Sequence, residues 1–112
     1  MGEQLGNSEE RRPQIARVND TFRMAGPGGD WYLTSGIQGL ANVPGLVEAV
    51  STYDDFSPDI DPHGEHDMGR ISWEAQKTYW KIDYYDQQLQ YWHDPLSPDC
   101  RRVMTILLAE EY

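Results

Sequence analysis

Between Tyr53 and Gly69 the chain reads Tyr-Asp-Asp-Phe-Ser-Pro-Asp-Ile-Asp-Pro-His-Gly-Glu-His-Asp-Met-Gly, with six carboxylates and two of the three histidines inside fourteen residues. No Lys or Arg interrupts it. Pro62 and Gly64 argue against a helix, and bare carboxylates resist burial. The stretch is therefore expected to be an ordered, turn-rich loop, and the regular structure has to come from the segments on either side of it.

Ahead of this loop, residues 1–12 are polar and unpatterned and read as a flexible leader. Pro13 suits a first helical turn, and a helix is expected from there to about Arg23, with Ile15, Val18 and Phe22 on its core-facing side. Asn19 and Asp20 fall on its other faces and are expected to be solvated. Ala25-Gly-Pro-Gly-Gly29 stops the helix and lacks the Gly-Lys-Ser/Thr of a phosphate loop. Asp30 to Ser35 is β-rich and short. Val43, Leu46, Val47 and Val50 then mark an amphipathic helix over Val43–Ser51, with Pro44 in its first turn.

After the loop, Arg70–Glu74 and Thr78–Tyr85 show the period-two character of a hairpin. Trp80, Ile82 and Tyr84 share one side of its second strand, while Tyr79, Lys81, Asp83 and Tyr85 share the other. Leu89, Tyr91 and Trp92 suggest a further short strand, and His93–Asp99 is built from turn residues. Val103–Ala109 is apolar on both alternating faces, which fits a central strand covered on both sides, although Leu, Ala and Glu favour helix and periodicity does not decide between them; a strand is the expectation taken. The order predicts an α+β fold, with two helices packed on a small antiparallel β-sheet in a single domain over residues 13–112.

Nineteen acidic against nine basic side chains give a formal net charge of −10. That charge repels nucleic acid and anionic membranes and favours basic proteins or cations as partners. The single cysteine, Cys100, has no internal disulfide partner and fits a reducing cytoplasm. No window approaches the roughly 18 apolar residues of a membrane span, and the N-terminus has no apolar signal core. A soluble cytoplasmic protein is expected.

Five ordered blocks carry a family resemblance: Asn-Asp-Thr-Phe-Arg (19–23), Tyr-Asp-Asp-Phe (53–56), Asp-Pro-His-Gly-Glu-His-Asp-Met-Gly (61–69), Trp-Lys-Ile-Asp-Tyr-Tyr-Asp (80–86) and Leu-Leu-Ala-Glu-Glu-Tyr (107–112). From about Val18 onward the chain resembles the bacterial domain of unknown function 3768. The resemblance implies no established activity. It does imply a genetic setting on plasmids and other mobile elements, whose small proteins often disable host defence.

Three readings of the acidic stretch stay open. As a metal site it offers Asp61, His63 and His66, a donor set suited to a divalent transition metal, with Glu65 as the base of a metal-assisted hydrolase. Asp59–Gly64 mimics half of a calcium loop, but Arg70 stands where the bidentate glutamate belongs. As a structural loop, its aspartates bond their own backbone and its histidines hydrogen-bond neighbouring carboxylates or pack on Trp73 and Trp80. As a contact surface, Asp54, Asp55, Asp59, Asp61, Glu65 and Asp67 project together with Asp83, Asp86 and Tyr85, and Tyr79, Tyr91 and Trp92 anchor the contact. Nucleophilic catalysis is weakly supported, since Cys100 and His93 lie in no recognisable motif. The favoured expectation is a small interaction protein rather than an enzyme, without cofactor. Its partner would carry a basic surface, as in a nucleic-acid-handling defence complex of CRISPR or restriction type, with a metal-dependent hydrolase or metal-stabilised domain using the Asp61–Asp67 loop as the alternative.

Overall fold

The structure, a computed structural model, describes residues 8–112, with side chains from Glu10 onward. Helix α1 spans Ser8–Met24, strand β1 Trp31–Leu33, the short helix α2 Ser35–Gln38 and helix α3 Val43–Ser51. Strands β2 (Met68–Trp73), β3 (Gln76–Tyr85) and β4 (Arg101–Leu108) follow, and a 3-10 turn closes the chain at Ala109–Glu111. Of the expected leader, residues 1–7 lie outside the described residues, while α1 already runs from Ser8 and holds Pro13 inside it. No helix among the described residues is long and apolar enough to cross a membrane.

The buried side of α1 is not the expected one. Val18 is 41% exposed and Phe22 only half-buried, while Ile15, Ala16, Asn19 and Arg23 are buried. Ile15, Asn19 and Arg23 are spaced four apart, so they form one stripe. Apolar periodicity misplaces the stripe because two of its members are polar and are buried by virtue of their partners. Helix α3 behaves as its pattern predicts, burying Leu46 and Val50, and Asn42 caps it by accepting from the Gly45 N–H at 3.2 Å.

The sheet runs in the order β1-β4-β3-β2. The α+β class holds, with antiparallel pairing across β2, β3 and β4, and β1 adds a parallel edge alongside β4. That edge is fastened by Arg101, whose Nε and Nη2 donate to the Asp30 carboxylate at 2.7 and 3.1 Å. The hairpin turns through Glu74 and Ala75, both at positive φ (50° and 65°), which is the backbone of a tight two-residue turn. The strand suggested by Leu89, Tyr91 and Trp92 reduces to a single bridge between Tyr85 and Trp92. At the C-terminus the Glu111 carboxylate accepts from Thr34 Oγ1 (2.6 Å), the Gly36 N–H (3.1 Å) and the Leu108 N–H (2.8 Å), joining the last turn to α2.

Register decides which side of the sheet is the core. Trp80 pairs with Ile106 and Ile82 with Met104, so all four share the side that meets Ile37, Leu46 and Val50. Thr78, Trp80, Ile82 and Tyr84 are buried, as the alternation predicts, and the expected central strand β4 buries Val103, Met104, Ile106 and Leu107.

Gly69 lies directly opposite Trp80. A Cβ there would meet Trp80 Nε1 at 2.4 Å and Tyr53 Cε1 at 2.6 Å, and both rings sit in the core. Gly69→Ala is therefore expected to cost about 1–3 kcal/mol by overpacking. Gly28→Ala, where nothing lies within 4 Å, serves as the control. Urea denaturation of the two variants checks this, and equal midpoints would contradict it.

Candidate functional site

Asn19 is completely buried, yet every polar atom of its amide is used. Its Nδ2 donates to Tyr84 Oη at 2.9 Å and to the Glu65 carbonyl at 3.0 Å, and its Oδ1 accepts from Arg102 Nε at 2.7 Å. Arg102 continues to the Pro95 carbonyl at 2.6 Å and lies 5.3 Å from the Tyr84 ring centroid. The Tyr84 hydroxyl donates onward to Glu65 Oε1 at 3.3 Å, and burial pushes its pKa up. One amide thus ties α1 to the acidic loop, to β3 and to β4.

One turn along α1, Arg23 is only 3% exposed. Its Nη1 donates to Asp20 Oδ1 and its Nη2 to the Tyr53 carbonyl, each at 2.9 Å. The guanidinium lies 5.3 Å from the ring centroids of both Phe56 and Trp80, a cation–π arrangement in a desolvated place. Asp20 also holds His66, whose Nδ1 lies 2.9 and 3.1 Å from the two carboxylate oxygens. A carboxylate can only accept, so Nδ1 carries a proton in that contact, and in the neutral ring Nε2 is the acceptor. The imidazole stacks on Phe56 with centroids 3.7 Å apart and planes 4° from parallel.

The loop between is held by its own turns. Ser57 O accepts from the Ile60 and Asp61 N–H groups at 3.1 and 2.9 Å, and Asp61 Oδ2 accepts from the His66 N–H at 3.2 Å. His66 takes up a left-handed backbone conformation, φ 57°, to reach both Asp61 and Asp20. The Asp67 carbonyl accepts from the Ile82 N–H at 2.8 Å, carrying the loop into the hairpin ladder. Burial, reinforced by the neighbouring Glu65 and Asp61 carboxylates, pushes the Asp67 carboxyl up from its ordinary 3.8 to about 6.

The carboxylates expected to act together are dispersed. Asp54, Asp55 and His63 are exposed, Asp61 is buried, and Glu65, His66 and Asp67 are half-buried. Asp59 is exposed and pairs with Arg70 at 2.5 Å. Hydrogen bonds from Ser57 and Arg70 hold its carboxyl below the usual range. Asp83 pairs with Lys81 at 3.1 Å. Asp86 Oδ1 accepts from the Gln88 and Gln90 N–H groups and so braces its own loop. Among the described residues, no three or more His, Cys, Asp or Glu side chains are placed to hold a metal ion together. His66 Nδ1 is committed to Asp20 and Asp61 Oδ2 to the loop backbone, while Asp61 Oδ1 is buried without a hydrogen-bond partner among the described residues. Cys100 is half-buried against the core, its thiol pushed up by burial.

Sequence reasoning missed Asn19, Asp20, Arg23 and Arg102 as members of this assembly. The signal was the compact block Asn-Asp-Thr-Phe-Arg, whose Asn19 and Arg23 sit four apart on one helical face. Asp20, Arg23, Met24, Phe56 and His66 line a cleft of about 350 Å³, closed on its far side by residues 51–54.

Residues 33–111 match the family described as protein of unknown function, DUF3768, and the chain belongs to that family. No curated protein and no solved structure matches the chain. The matched span contains the acidic loop, the hairpin and β4. The block 19–23 lies before it, joined to it through Glu65, Tyr84 and Arg102.

Two outcomes follow from this network. Asn19→Ala strands Arg102 Nε, Tyr84 Oη and the Glu65 carbonyl, and is expected to cost about 3 kcal/mol. Val18→Ala, one position earlier and largely in solvent, should cost under about 0.5 kcal/mol. Comparison of their denaturant midpoints decides whether the buried amide is the stabilising element. For Asp67, the proton binds more readily to the folded chain than to the unfolded one, so folding favours its neutral form. Its contribution is fully present below about pH 4, is lost as pH rises through about 6, and is absent at pH 7. Allowing for partial exposure, Asp67→Asn should raise stability at pH 7 by on the order of 1 kcal/mol and flatten the fall between pH 4 and 7. Thermal melts of both proteins across that range test the sign.

Proposed function

We propose that this protein is a small acidic interaction protein that docks on a basic protein partner through the sheet surface its helices leave uncovered. The observation that carries this reading is Trp92, 69% exposed beside Tyr91 at 72%. The bridge between Trp92 and Tyr85 sets both side chains on the same side of the sheet, the one opposite Trp80 and Tyr84. Asp83, Lys81 and Tyr79 share that side by alternation.

At the other end of the same surface Tyr79 meets Tyr112 edge to face at 5.6 Å. Ile60, Met68, Tyr79, Ala109 and Tyr112 line an open groove of about 520 Å³ there. Tyrosine and tryptophan supply large contact area at small entropic cost, which is why they anchor protein interfaces. The net charge of −10 would steer the approach of a basic surface and make association dependent on salt. A groove built for nucleic acid in a cytoplasmic defence complex has that chemistry, and the mobile-element setting implied by the family resemblance favours an inhibitor of such a complex. The metal-loop alternative has less support, because no three or more His, Cys, Asp or Glu side chains among the described residues are placed to hold a metal ion together.

The experiment is to recover binding partners with the intact chain as bait, then titrate each by biolayer interferometry at rising ionic strength. The expected partner loses affinity steeply with salt and loses about 30-fold or more with Trp92→Ala, a change of about 2 kcal/mol. Affinity indifferent to both salt and Trp92→Ala would sink the proposal.

A further inference from the structure

The cleft between α1 and residues 51–56 lies on the helix side of the sheet, away from the proposed interface, and the chemistry of its walls is distinct. The C-terminal ends of α1 at Met24 and of α3 at Ser51 both reach it, bringing partial negative charge. Asp20 and Asp54 add carboxylates to the wall. Phe56 and His66 add a flat stacked pair.

The wall already holds one guanidinium. Arg23 is bound by a carboxylate (Asp20), a carbonyl just past the end of α3 (Tyr53) and the ring of Phe56. Outside it, the same three kinds of group recur: the exposed Asp54 carboxylate, Asp20 with its second oxygen shared only with His66, and the imidazole of His66. Asp20 fixes the Nδ1–H tautomer, and Nε2 makes no hydrogen bond to the described residues. In the neutral ring it is therefore an acceptor, and the side chain is 28% exposed. Met24, 66% exposed at the rim, offers a flexible apolar surface for an alkyl stem. A volume of about 350 Å³ falls within the range of small-ligand sites, roughly 300–1,000 Å³.

We propose that this cleft binds a second guanidinium group, that of an arginine, edge-on, with His66 Nε2 and the Asp54 carboxylate accepting its N–H groups. Guanidinium matches these walls better than ammonium does, because it is planar and presents its donors in a fixed fork. The inference is independent of the proposed protein interface, since it uses none of the residues of the uncovered sheet surface.

The test follows the Met24 methyl and the His66 ring protons by NMR during titration with N-acetyl-arginine amide, N-acetyl-lysine amide and the neutral isostere N-acetyl-citrulline amide. Saturable shifts are expected with arginine, weaker ones with lysine and none with citrulline. Asp54→Asn, at an exposed position, should weaken arginine binding at least tenfold with the melting temperature unchanged. His66→Phe, which keeps the stack on Phe56 but gives up the Asp20 contact, should weaken it by at least as much. A response to citrulline equal to that to arginine would overturn the proposal. So would undiminished arginine binding by Asp54→Asn, or no shift at Met24 and His66 with any of the three. Free arginine and an arginyl tripeptide are compared in a last arm. Tighter binding of the peptide assigns the site to an arginine of a polypeptide, equal or tighter binding of the free amino acid assigns it to a small molecule, and absence of binding by both overturns it.

Discussion

The Asn19 amide is the contact on which the arrangement of this molecule depends. Its two polar atoms reach Glu65 in the acidic loop, Tyr84 in β3 and Arg102 in β4, so a single buried side chain fixes four segments against one another. A buried amide with unfilled bonding capacity costs more than the bonds it makes would return, so the position tolerates only the geometry in which all the partners arrive together. The helix, the loop and two strands are thereby set in one register, and the cleft at the end of α1 is a consequence of it.

Arg23 does similar work for the aromatic side of the core. Its charge is compensated by Asp20 and by the Tyr53 carbonyl, and its plane lies near both Phe56 and Trp80. Because Asp20 is shared between Arg23 and His66, the imidazole is oriented by the same ion pair that buries the guanidinium. A histidine held at Nδ1 and stacked on Phe56 joins Asp54 and Phe56 of the acidic stretch in lining the cleft. The other charged groups of the stretch are spread between solvent, the Arg70 pair and the loop's own turns.

Alternation along β3 separates the molecule into two surfaces. Thr78, Trp80, Ile82 and Tyr84 face the helices, and Tyr79, Lys81, Asp83 and Tyr85 face away. This was legible in the sequence, because a strand with one side buried writes its period into the chain. The antiparallel pairing of β2 to β3 followed from the same pattern. The parallel edge strand β1 did not, because its partner β4 lies some seventy positions away (Trp31 pairs with Met104) and only three residues of β1 carry the pattern.

What the sequence determined by itself was the α+β class, helix α3, the hairpin and the irregular character of the acidic stretch. Each of these is a local matter of period, turn residues and charge density. The tertiary structure alone decided which carboxylates and histidines would be free. Asp61 is buried, Asp59 is paired with Arg70, Asp83 with Lys81 and His66 with Asp20, although all of them look equally available along the chain. It also decided that Asn19 and Arg23 go inside. A polar side chain is buried when a partner meets it, and apart from Asp20, three positions from Arg23, those partners lie 30 to 83 positions away, beyond what any local pattern records.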